Sequence, residues 1–295
     1  MGLLPKTEWG ELALLITFFP DNIIMRVTVV QTNPGTDRAT NLADTRQLVD
    51  AAVGEDRSDL VVLPEVLSFM GGSVADRQAT AEEIPGGEVY QALSAMARDN
   101  GIFLHGGSFY EAAPGSPLVY NTTVVFDRSG AEIVRYRKIH LFDVTTPGGH
   151  VYAESDVVGR GQDIVTYDAE GQRIGCTICY DIRFAELFRR LAAKGARVIA
   201  VPAAFTLQTG KDHWEVLLRA RAIETQTFIV AAAQTGMFTT PEGKRQTWGH
   251  SMIVDPWGHV LAQAQEGVGW ATARLDFKRQ DKIRQNLPVH EHHVL

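Results

Sequence analysis

The sequence predicts an α/β fold, a four-layer αββα sandwich in which two mixed β-sheets pack together between outer helices. Short runs rich in β-branched residues alternate with helical patterns through the first hundred residues, which is typical of layered α/β proteins. Hairpin-like pairs of runs follow among further strand–helix pairs, and this mixture indicates mixed sheets. The 295 residues contain no flexible linker and no internal repeat, so we expect one such domain.

The first part of this domain is predicted to alternate strands with helices. Each strand is a short apolar run, and the first helix carries Leu42, Leu48 and Val49 on one side. The predicted strands are Met25–Gln31, Leu60–Leu63 and Ile102–Ser108. The predicted helices are Asp37–Val53 and Gly87–Asp99.

The second part begins with two predicted hairpins, because turn-rich tetrapeptides (127–130 and 169–172) separate pairs of apolar runs. Residues 143–162 are rich in Gly, Pro and Asp and are expected to form a long loop. The predicted strands are Tyr120–Phe126, Ile133–Arg137, Ile164–Asp168, Arg173–Thr177, Val198–Pro202 and Phe228–Ala233, with a final hairpin group of His250–Val254, Val260–Gln263 and Thr272–Leu275. The predicted helices are Phe184–Lys194, Lys211–Thr225 and Lys278–Asn286.

The first strand begins at residue 25, so we interpret residues 1–24 as an N-terminal extension and residues 25–295 as the domain. The alternative for the extension is an arm that binds a partner or caps an oligomer. Its apolar run, Leu12–Phe19, is far shorter than the roughly 20 residues of a membrane span, and its acidic flanks do not fit a secretory signal. We therefore expect a cytoplasmic protein.

Charge and cysteine content exclude several classes of function. Acidic residues outnumber basic ones by 35 to 28, and the pI is about 5.7, which gives no support to broad binding of nucleic acid or anionic membranes. The two cysteines, Cys176 and Cys179, are too few for a disulfide scaffold or a four-cysteine zinc site. Their spacing leaves a redox or metal function open, although Cys176 falls within a predicted strand and is assigned to the core.

Three polar side chains stand at the ends of predicted strands. Cys179 lies where a strand leads into a helix, a position where a nucleophile is exposed and backbone N–H groups stabilise an oxyanion. Glu65 follows the apolar strand 60–63, at the sheet edge where open α/β sheets bind ligands. Lys138 follows strand 133–137 within a basic cluster. Taken singly, each has an ordinary alternative, namely a core thiol, a surface carboxylate or a solvated charge.

Together these segments resemble the nitrilase superfamily of carbon–nitrogen hydrolases. The resemblance rests on three motifs in the same order and at similar separations, Leu63–Glu65, Tyr136–Phe142 and Cys179–Phe184. Further agreement covers almost the whole chain from Met25 onward. It includes Tyr120–Thr122, Val201–Phe205, Gly210–Trp214, Leu218–Gln226 and Gly249–Gly258. The most similar branch is that of the deaminated glutathione amidases and omega-amidases.

The resemblance implies a catalytic set of Glu65, Lys138, Cys179 and a second glutamate, Glu154. Glu65 would accept the proton of the Cys179 thiol, since an amide needs an activated nucleophile. Lys138 would bind the tetrahedral oxyanion together with the backbone N–H of Tyr180. Glu154 would either orient Lys138 or contact the departing nitrogen. The alternative for Glu154 is a loop carboxylate that pairs with Arg160.

Substrate-binding residues are expected around this set. In the resembling amidases, the arginine at the position of Arg183 is associated with an acid group of the substrate, and a guanidinium binds a carboxylate in bidentate fashion. Its alternative is a salt bridge with Asp181 or Glu186. Phe205 and Thr206 follow a buried strand and are expected to line the pocket, with a core position as the alternative for Phe205. The remaining expected residues are Tyr120 and Asn121, beside the lysine, with a structural role at the strand start as their alternative. His213 is expected to be structural, and a Cys–His dyad is the second mechanism that it offers.

The resemblance therefore implies a thiol hydrolase that cleaves the terminal amide of a small carboxylate-bearing substrate through a thioester, with release of ammonia. Deaminated glutathione is the favoured substrate, and ω-amides such as 2-oxoglutaramate come next. Alternatives are an N-carbamoyl amino acid or a nitrile. The resemblance also implies no metal or organic cofactor and a homodimer or larger homo-oligomer. Rivals from other classes are a non-catalytic scaffold and a Cys-x-x-Cys redox module.

Overall fold

The structure, a computed structural model, describes residues 24–292 except 146–148 and 150, and also residue 294. The proposed extension of residues 1–24 lies outside this part of the chain, apart from Ile24. The strands are β1 (Ile24–Gln31), β2 (Leu60–Val62), β3 (Phe103–His105), β4 (Phe109–Ala112), β5 (Val119–Phe126), β6 (Glu132–Arg137), β7 (Asp143–Thr145), β8 (Val151–Ala153), β9 (Thr166–Ala169), β10 (Gln172–Cys176), β11 (Val198–Ala203), β12 (Phe228–Ala233), β13 (Thr235–Thr240), β14 (Gly243–Trp248), β15 (Met252–Val254), β16 (Val260–Gln263) and β17 (Gly269–Asp276).

The described residues also form six α-helices, none of which is both long and apolar enough to span a bilayer. The helices are α1 (Arg38–Asp56), α2 (Val74–Ala79), α3 (Glu88–Asn100), α4 (Ala185–Ala193), α5 (Leu207–Thr225) and α6 (Phe277–Asn286). Local signals fix several of their ends. Asp37 caps α1 by accepting a hydrogen bond from the Thr40 amide, and α3 ends at Gly101, whose left-handed backbone favours glycine.

Two large mixed sheets form the centre of the fold, as the sequence predicts. One has the order β17-β1-β2-β3-β5-β4, with β6 also paired to β5, and the other has the order β16-β15-β12-β11-β10-β9. In the first sheet β1, β2 and β3 are parallel, and in the second β10, β11 and β12 are parallel. Their outer strands are antiparallel; hairpins supply β4, β9 and β16, whereas β17 comes from the far end of the chain to pair with β1.

The layers follow from which faces are apolar. Side chains of β1 and β2 share one buried cluster with those of β10, β11 and β12, so the two sheets pack face to face. The opposite face of the first sheet packs against apolar residues of α1 and α3. Helices α4 and α5 cover the outside of the second sheet, with Trp214 and Leu218 in its core. The predicted four-layer αββα arrangement is therefore confirmed.

The structure differs from the sequence-based elements in several places. The predicted strand Ile102–Ser108 ends at His105 as β3, and a separate strand, β4, begins at Phe109. Between them lies Gly107, where φ is +61° and a Cβ atom would lie 2.1 Å from the carbonyl oxygen of Pro64. Strand β17 leaves the predicted hairpin group and pairs with β1 in the other sheet. The segment 143–162, predicted to be a long loop, contains the paired strands β7 and β8 and a short 3₁₀-helix, Glu154–Asp156. The sequence interpretation also lacks α2 and the β13–β14 hairpin, both of which border the site described below.

The packing of α3 gives a test of the core. Leu93 is fully buried in α3 against the first sheet, so Leu93→Ala should lower the free energy of unfolding by about 2–5 kcal/mol through lost burial and a residual cavity. Leu261 on β16 is 42% exposed and is the matched control, with an expected loss of about 0.5 kcal/mol or less. Urea unfolding followed by circular dichroism measures both. Equal losses would contradict the assigned packing of α3.

Candidate active site

One cavity of about 390 Å³ lies beyond the carboxyl ends of the parallel strands of both sheets. Its wall includes Glu65, Lys138, Glu154 and Cys179, the four side chains that the sequence predicts to be catalytic. Glu65 follows β2, Lys138 follows β6, and Cys179 follows β10, while Glu154 begins a short 3₁₀-helix after β8. The volume falls within the range of about 300–1,000 Å³ that is usual for small-molecule sites. The fold thus brings four residues from distant parts of the chain to one place.

Contacts from both sheets hold the backbone around Glu65. Pro64 ends β2, and the next residue but one, Val66, has a left-handed backbone with φ +48°. The Val66 amide donates a hydrogen bond to Ser108 Oγ at 3.0 Å. The amide group of Gln234, directly after β12 of the other sheet, donates to the Glu65 carbonyl oxygen at 2.6 Å. These contacts fix the direction of a carboxylate that is almost completely buried.

A buried ion cluster surrounds the amine of Lys138. Its Nζ lies 2.9 Å from Glu65 Oε1 and 3.0 and 2.9 Å from the two oxygens of Glu154. The backbone N–H of Phe142 also donates to Glu154, at 2.6 Å. Burial lowers the pKa of Lys138, but the two carboxylates outweigh it and hold that pKa well above its ordinary value. Glu154 therefore pairs with this lysine, instead of with Arg160 nearby in the sequence.

Asn121 lies behind the ion cluster. Its Nδ2 donates to Glu65 Oε1 at 3.0 Å and to Glu154 Oε1 at 3.3 Å, and its carbonyl oxygen accepts from the Lys138 amide at 2.9 Å. Its side chain is buried, and it is not part of the cavity wall. The sequence predicts Asn121 to bind substrate; in the structure its side-chain amide lies against both carboxylates.

Cys179 lies on a strained turn between β10 and α4. It starts a short 3₁₀-helix, Cys179–Arg183, and its φ is +47°, which is unusual for a residue other than glycine. Burial raises the pKa of the Cys179 thiol well above its ordinary value, and the Glu65 carboxylate, hydrogen-bonded to the thiol, raises it further. Lys138 and the backbone N–H of Ala204 act in the opposite direction. The thiol is therefore protonated at rest, with a carboxylate in contact to receive its proton.

Asp181 connects the turn of the thiol to the strand of the lysine. This completely buried carboxylate accepts hydrogen bonds from the Ile178 amide at 2.8 Å and the Tyr136 hydroxyl at 2.6 Å. It also lies 3.0 Å from the amide nitrogen of His140 and 2.7 Å from its Nδ1. Tyr136 and His140 flank the lysine on both sides, while Asp181 itself is two residues past Cys179. One carboxylate thus sets the position of the nucleophile relative to the amine.

The predicted substrate-binding residues Arg183, Tyr180, Phe205 and Thr206 all line the cavity. The Arg183 guanidinium carbon lies 5.7 Å from the centroid of the Tyr180 ring and 5.4 Å from that of Phe205. Both terminal nitrogens of Arg183 lie 3.3 Å from His213 Nδ1. Among the described residues, Arg183 forms no salt bridge with a carboxylate, so its charge is free to bind an anion from the cavity.

Three other residues lie away from the reacting groups. Tyr120 does not line this cavity, because it points to the other face of β5 from Asn121 and stacks under the Arg137 guanidinium, 4.1 Å away. His213 contacts the arginine described above and is not part of the cavity wall, which disfavours a Cys–His dyad. Cys176 ends β10 within the core between the sheets, and burial raises the pKa of its thiol.

The sequence interpretation misses the roles of Asp181 and Ala204. Asp181 carries a usable signal, because an acidic side chain next to the start of a helical turn commonly accepts backbone amides there. Ala204 carries none, since it acts only through its backbone N–H. Among the described residues, no group of three or more His, Cys, Asp or Glu side chains is arranged to hold a metal ion.

Comparison with known proteins identifies the family. The family profile described as Carbon-nitrogen hydrolase matches residues 26–285. The chain belongs to the carbon–nitrogen hydrolase family. It is 42% identical over 257 residues to a deaminated glutathione amidase of Synechocystis, covering 86% of this chain and 92% of that one. It is 36% identical over 264 residues to an omega-amidase of Mus musculus, covering 90% of this chain and 93% of that one.

A solved structure agrees with this membership. The crystal structure of the C. elegans NitFhit protein superposes with a TM-score of 0.83 at 36% identity, covering 92% of this chain. This chain spans 65% of the length of that protein. The resemblance to the nitrilase superfamily is therefore confirmed. The protein is an amidase-type hydrolase that acts on carbon–nitrogen bonds other than peptide bonds.

The contact between Glu65 and Cys179 gives a pH prediction. Because the Glu65 carboxylate helps to raise the pKa of the thiol, Glu65→Gln should shift the pH profile of Cys179 alkylation to lower pH. Iodoacetamide labelling of the protein, with the modified peptide quantified by mass spectrometry, measures this profile. Cys176→Ala in both backgrounds removes the other thiol. An unchanged or upward-shifted midpoint would show that Glu65 does not influence the thiol.

Proposed function

We propose that this carbon–nitrogen hydrolase is a cysteine-dependent amidohydrolase that works through a thioester. The observation that carries the proposal is the single cavity in which the Cys179 thiol contacts Glu65 while Lys138 is held between Glu65 and Glu154. An amide carbonyl is a poor electrophile, and this set supplies the three things that its cleavage needs. They are a nucleophile, a proton acceptor and a cation next to the developing oxyanion.

The proposed reaction begins when Glu65 accepts the thiol proton and Cys179 Sγ attacks the amide carbonyl carbon. The carbonyl oxygen becomes an oxyanion, which Lys138 Nζ and the backbone N–H of Tyr180 stabilise. As the carbon–nitrogen bond breaks, the protonated Glu65 gives its proton to the departing nitrogen, and a thioester with Cys179 remains. Glu65 then accepts a proton from water, which attacks the thioester. Release of the acid returns the proton to the sulfur.

In this mechanism Glu154 holds the Lys138 amine in place and keeps it charged. Its two oxygens both contact Lys138 Nζ, and the charge of that carboxylate helps to keep the buried amine protonated. A neutral amine would stabilise an oxyanion far less well than an ammonium group. We therefore assign Glu154 to positioning Lys138, in preference to direct contact with the departing nitrogen.

We propose that the substrate is a small amide with a carboxylate at its acyl end. Arg183 supports this assignment, because it lines the cavity and forms no salt bridge within the described residues. The names of the relatives favour deaminated glutathione and then 2-oxoglutaramate, which share a 2-oxoacid acyl group. On 2-oxoglutaramate the nitrogen departs as ammonia, as expected from the sequence. On deaminated glutathione it departs as the amine of cysteinylglycine. N-carbamoyl amino acids and nitriles remain alternatives of lower rank.

We also propose that the enzyme forms a homo-oligomer and works in the cytoplasm. Ile223 on α5 and Trp257 on the adjacent turn are each 50% exposed, and Val216 on α5 is 67% exposed, which leaves apolar surface for a second copy to cover. Both cysteines are free thiols, which persist in a reducing compartment.

The two cysteines are expected to differ in their effect on activity. Cys179→Ala removes the nucleophile and should lower the rate of 2-oxoglutarate release from either substrate by at least about 10³-fold. Cys176→Ala removes a thiol from the core and should leave most of this rate. Comparable losses in both variants would contradict the division of roles and would favour a Cys-x-x-Cys redox pair. Full activity of Cys179→Ala would contradict the proposed mechanism.

Arg183 is expected to select acidic substrates. Lysine keeps the positive charge at this position but cannot form the bidentate pair, so Arg183→Lys should lower kcat/KM for 2-oxoglutaramate by about tenfold to a hundredfold. The matched neutral substrate is 4-oxopentanamide, in which a methyl group replaces the carboxylate. Its kcat/KM should change by less than about threefold. Equal losses on the two amides would show that Arg183 does not bind the carboxylate.

A further inference from the structure

Two more arginines line the same cavity, and the proposed mechanism uses neither of them. They are Arg77 on α2 and Arg245 on β14, the elements that the sequence interpretation lacks. Both side chains are partly buried, with that of Arg245 only 15% exposed. The Arg77 guanidinium donates to the carbonyl oxygen of Gly72 at 3.4 Å and forms no salt bridge with a described carboxylate. Two partly buried guanidinium groups in a substrate cavity are suited to bind an anionic ligand.

A row of aromatic rings separates Arg245 from Arg183. The Arg245 guanidinium carbon lies 4.6 Å from the centroid of the Tyr152 ring, and Tyr152 lies 5.1 Å from Phe142. Phe142 in turn lies 5.1 Å from Tyr180, whose ring is next to Arg183. The two arginines thus contact the first and the last ring of this series, with Phe142 between those rings. Tyr180 is adjacent to Cys179 in sequence, and Tyr152 is two residues before Glu154, so the row belongs to the segments that carry the reacting groups.

Arg77 lies at the same end of the cavity as Arg245. The loop before α2 packs on the β13–β14 hairpin, where the Gly72 amide donates to the Thr239 carbonyl oxygen at 3.1 Å. Glu242, in the turn of this hairpin, lies near both arginines. Its pKa is below the ordinary value because of a hydrogen bond with Thr240, with the charges of Arg245 and Arg77 contributing. Two elements therefore direct their guanidinium groups towards one region.

The charges at this end leave room for a further anion. Glu242 is the acidic neighbour of Arg245, at 3.4 Å, and its side chain is 65% exposed, so solvent screens it strongly. The other acidic side chains of the cavity wall are Glu65 and Glu154, which share the charge and hydrogen bonds of the Lys138 amine, and the exposed Asp156. A ligand carboxylate would find two guanidinium groups against one exposed carboxylate.

We propose that Arg77 and Arg245 form a second carboxylate subsite, which binds the group that leaves with the amide nitrogen. This inference rests on the proposed function, in which Arg183 binds the carboxylate of the acyl group. The ligand class is an amide of a 2-oxoacid whose nitrogen belongs to a short peptide with a free C-terminal carboxylate. A dipeptide in this position reaches about 7 Å beyond the scissile bond when extended. A simple ω-amide, which releases ammonia, has no group for this subsite.

The test compares two substrates that differ only at the far carboxylate. Both are γ-amides of 2-oxoglutarate with glycylglycine, one with a free C-terminus and the other with an N-methylamide there. Released 2-oxoglutarate is measured with glutamate dehydrogenase. The wild-type enzyme should prefer the free carboxylate in kcat/KM by about tenfold to a hundredfold, and Arg245→Gln or Arg77→Gln should reduce this preference by about tenfold.

Two further variants control the comparison. Arg190→Gln changes an exposed arginine of α4 outside the cavity, and it should leave the preference unchanged. Glu242→Gln removes the acidic neighbour and should increase the preference, by up to about fivefold. An increase in one variant and a decrease in the other cannot arise from general loss of folding.

The outcomes separate the subsite from the proposed function. Turnover of 2-oxoglutaramate without a preference between the two dipeptide amides would overturn the subsite alone. The same conclusion follows if Arg245→Gln and Arg77→Gln lower kcat/KM equally for both amides. If the wild-type enzyme hydrolysed neither 2-oxoglutaramate nor the dipeptide amides, the proposed function would be wrong and the subsite with it.

Discussion

A protonated amine buried between two carboxylates is the constraint on which the site depends. Transferring an isolated charge from water to a protein interior is very unfavourable, so the amine of Lys138 and the carboxylates of Glu65 and Glu154 are tolerated only together. One positive charge does not balance two negative ones. The amide of Asn121 and the backbone N–H of Phe142 donate the additional hydrogen bonds that the carboxylates require. The cluster therefore needs β2, β5, β6 and the segment after β8 to meet at one point.

The fold elements that the sequence predicts well are those that carry their own periodic pattern. Strand β12 matches its prediction, Phe228–Ala233, because an unbroken apolar run identifies a strand buried on both faces. The pairing of β17 with β1 cannot be read from either segment alone, because its partners are far apart in the sequence; Thr28 and Thr272, whose hydroxyls are hydrogen-bonded, are 244 positions apart. The division between β3 and β4 depends likewise on the approach of Pro64 to Gly107. Such long-range contacts leave no local signal.

The same distinction applies to the site. Glu65, Lys138 and Cys179 are found at strand ends, which sequence patterns locate. It is harder to predict which of two adjacent strand residues faces the site. Successive side chains of a strand point to opposite faces of the sheet, so an error of one residue in the register exchanges the two faces. Asn121 faces the ion cluster and Tyr120 faces away from it. The position of Asp181 at a helical turn gives a local signal for its bond with the Ile178 amide, but none for its bonds with Tyr136 and His140, which the fold brings to it.

The protonated, buried state of the Cys179 thiol has a consequence for the lifetime of the enzyme. Oxidation of cysteine to sulfenic and higher acids proceeds through the thiolate and requires access to the sulfur. Both conditions are poorly met while the proton stays on sulfur and the side chain is only 7% exposed. The nucleophile becomes reactive when a bound amide draws the proton towards Glu65. We therefore expect this thiol to react more slowly with peroxide between turnovers than a cysteine kept as a thiolate.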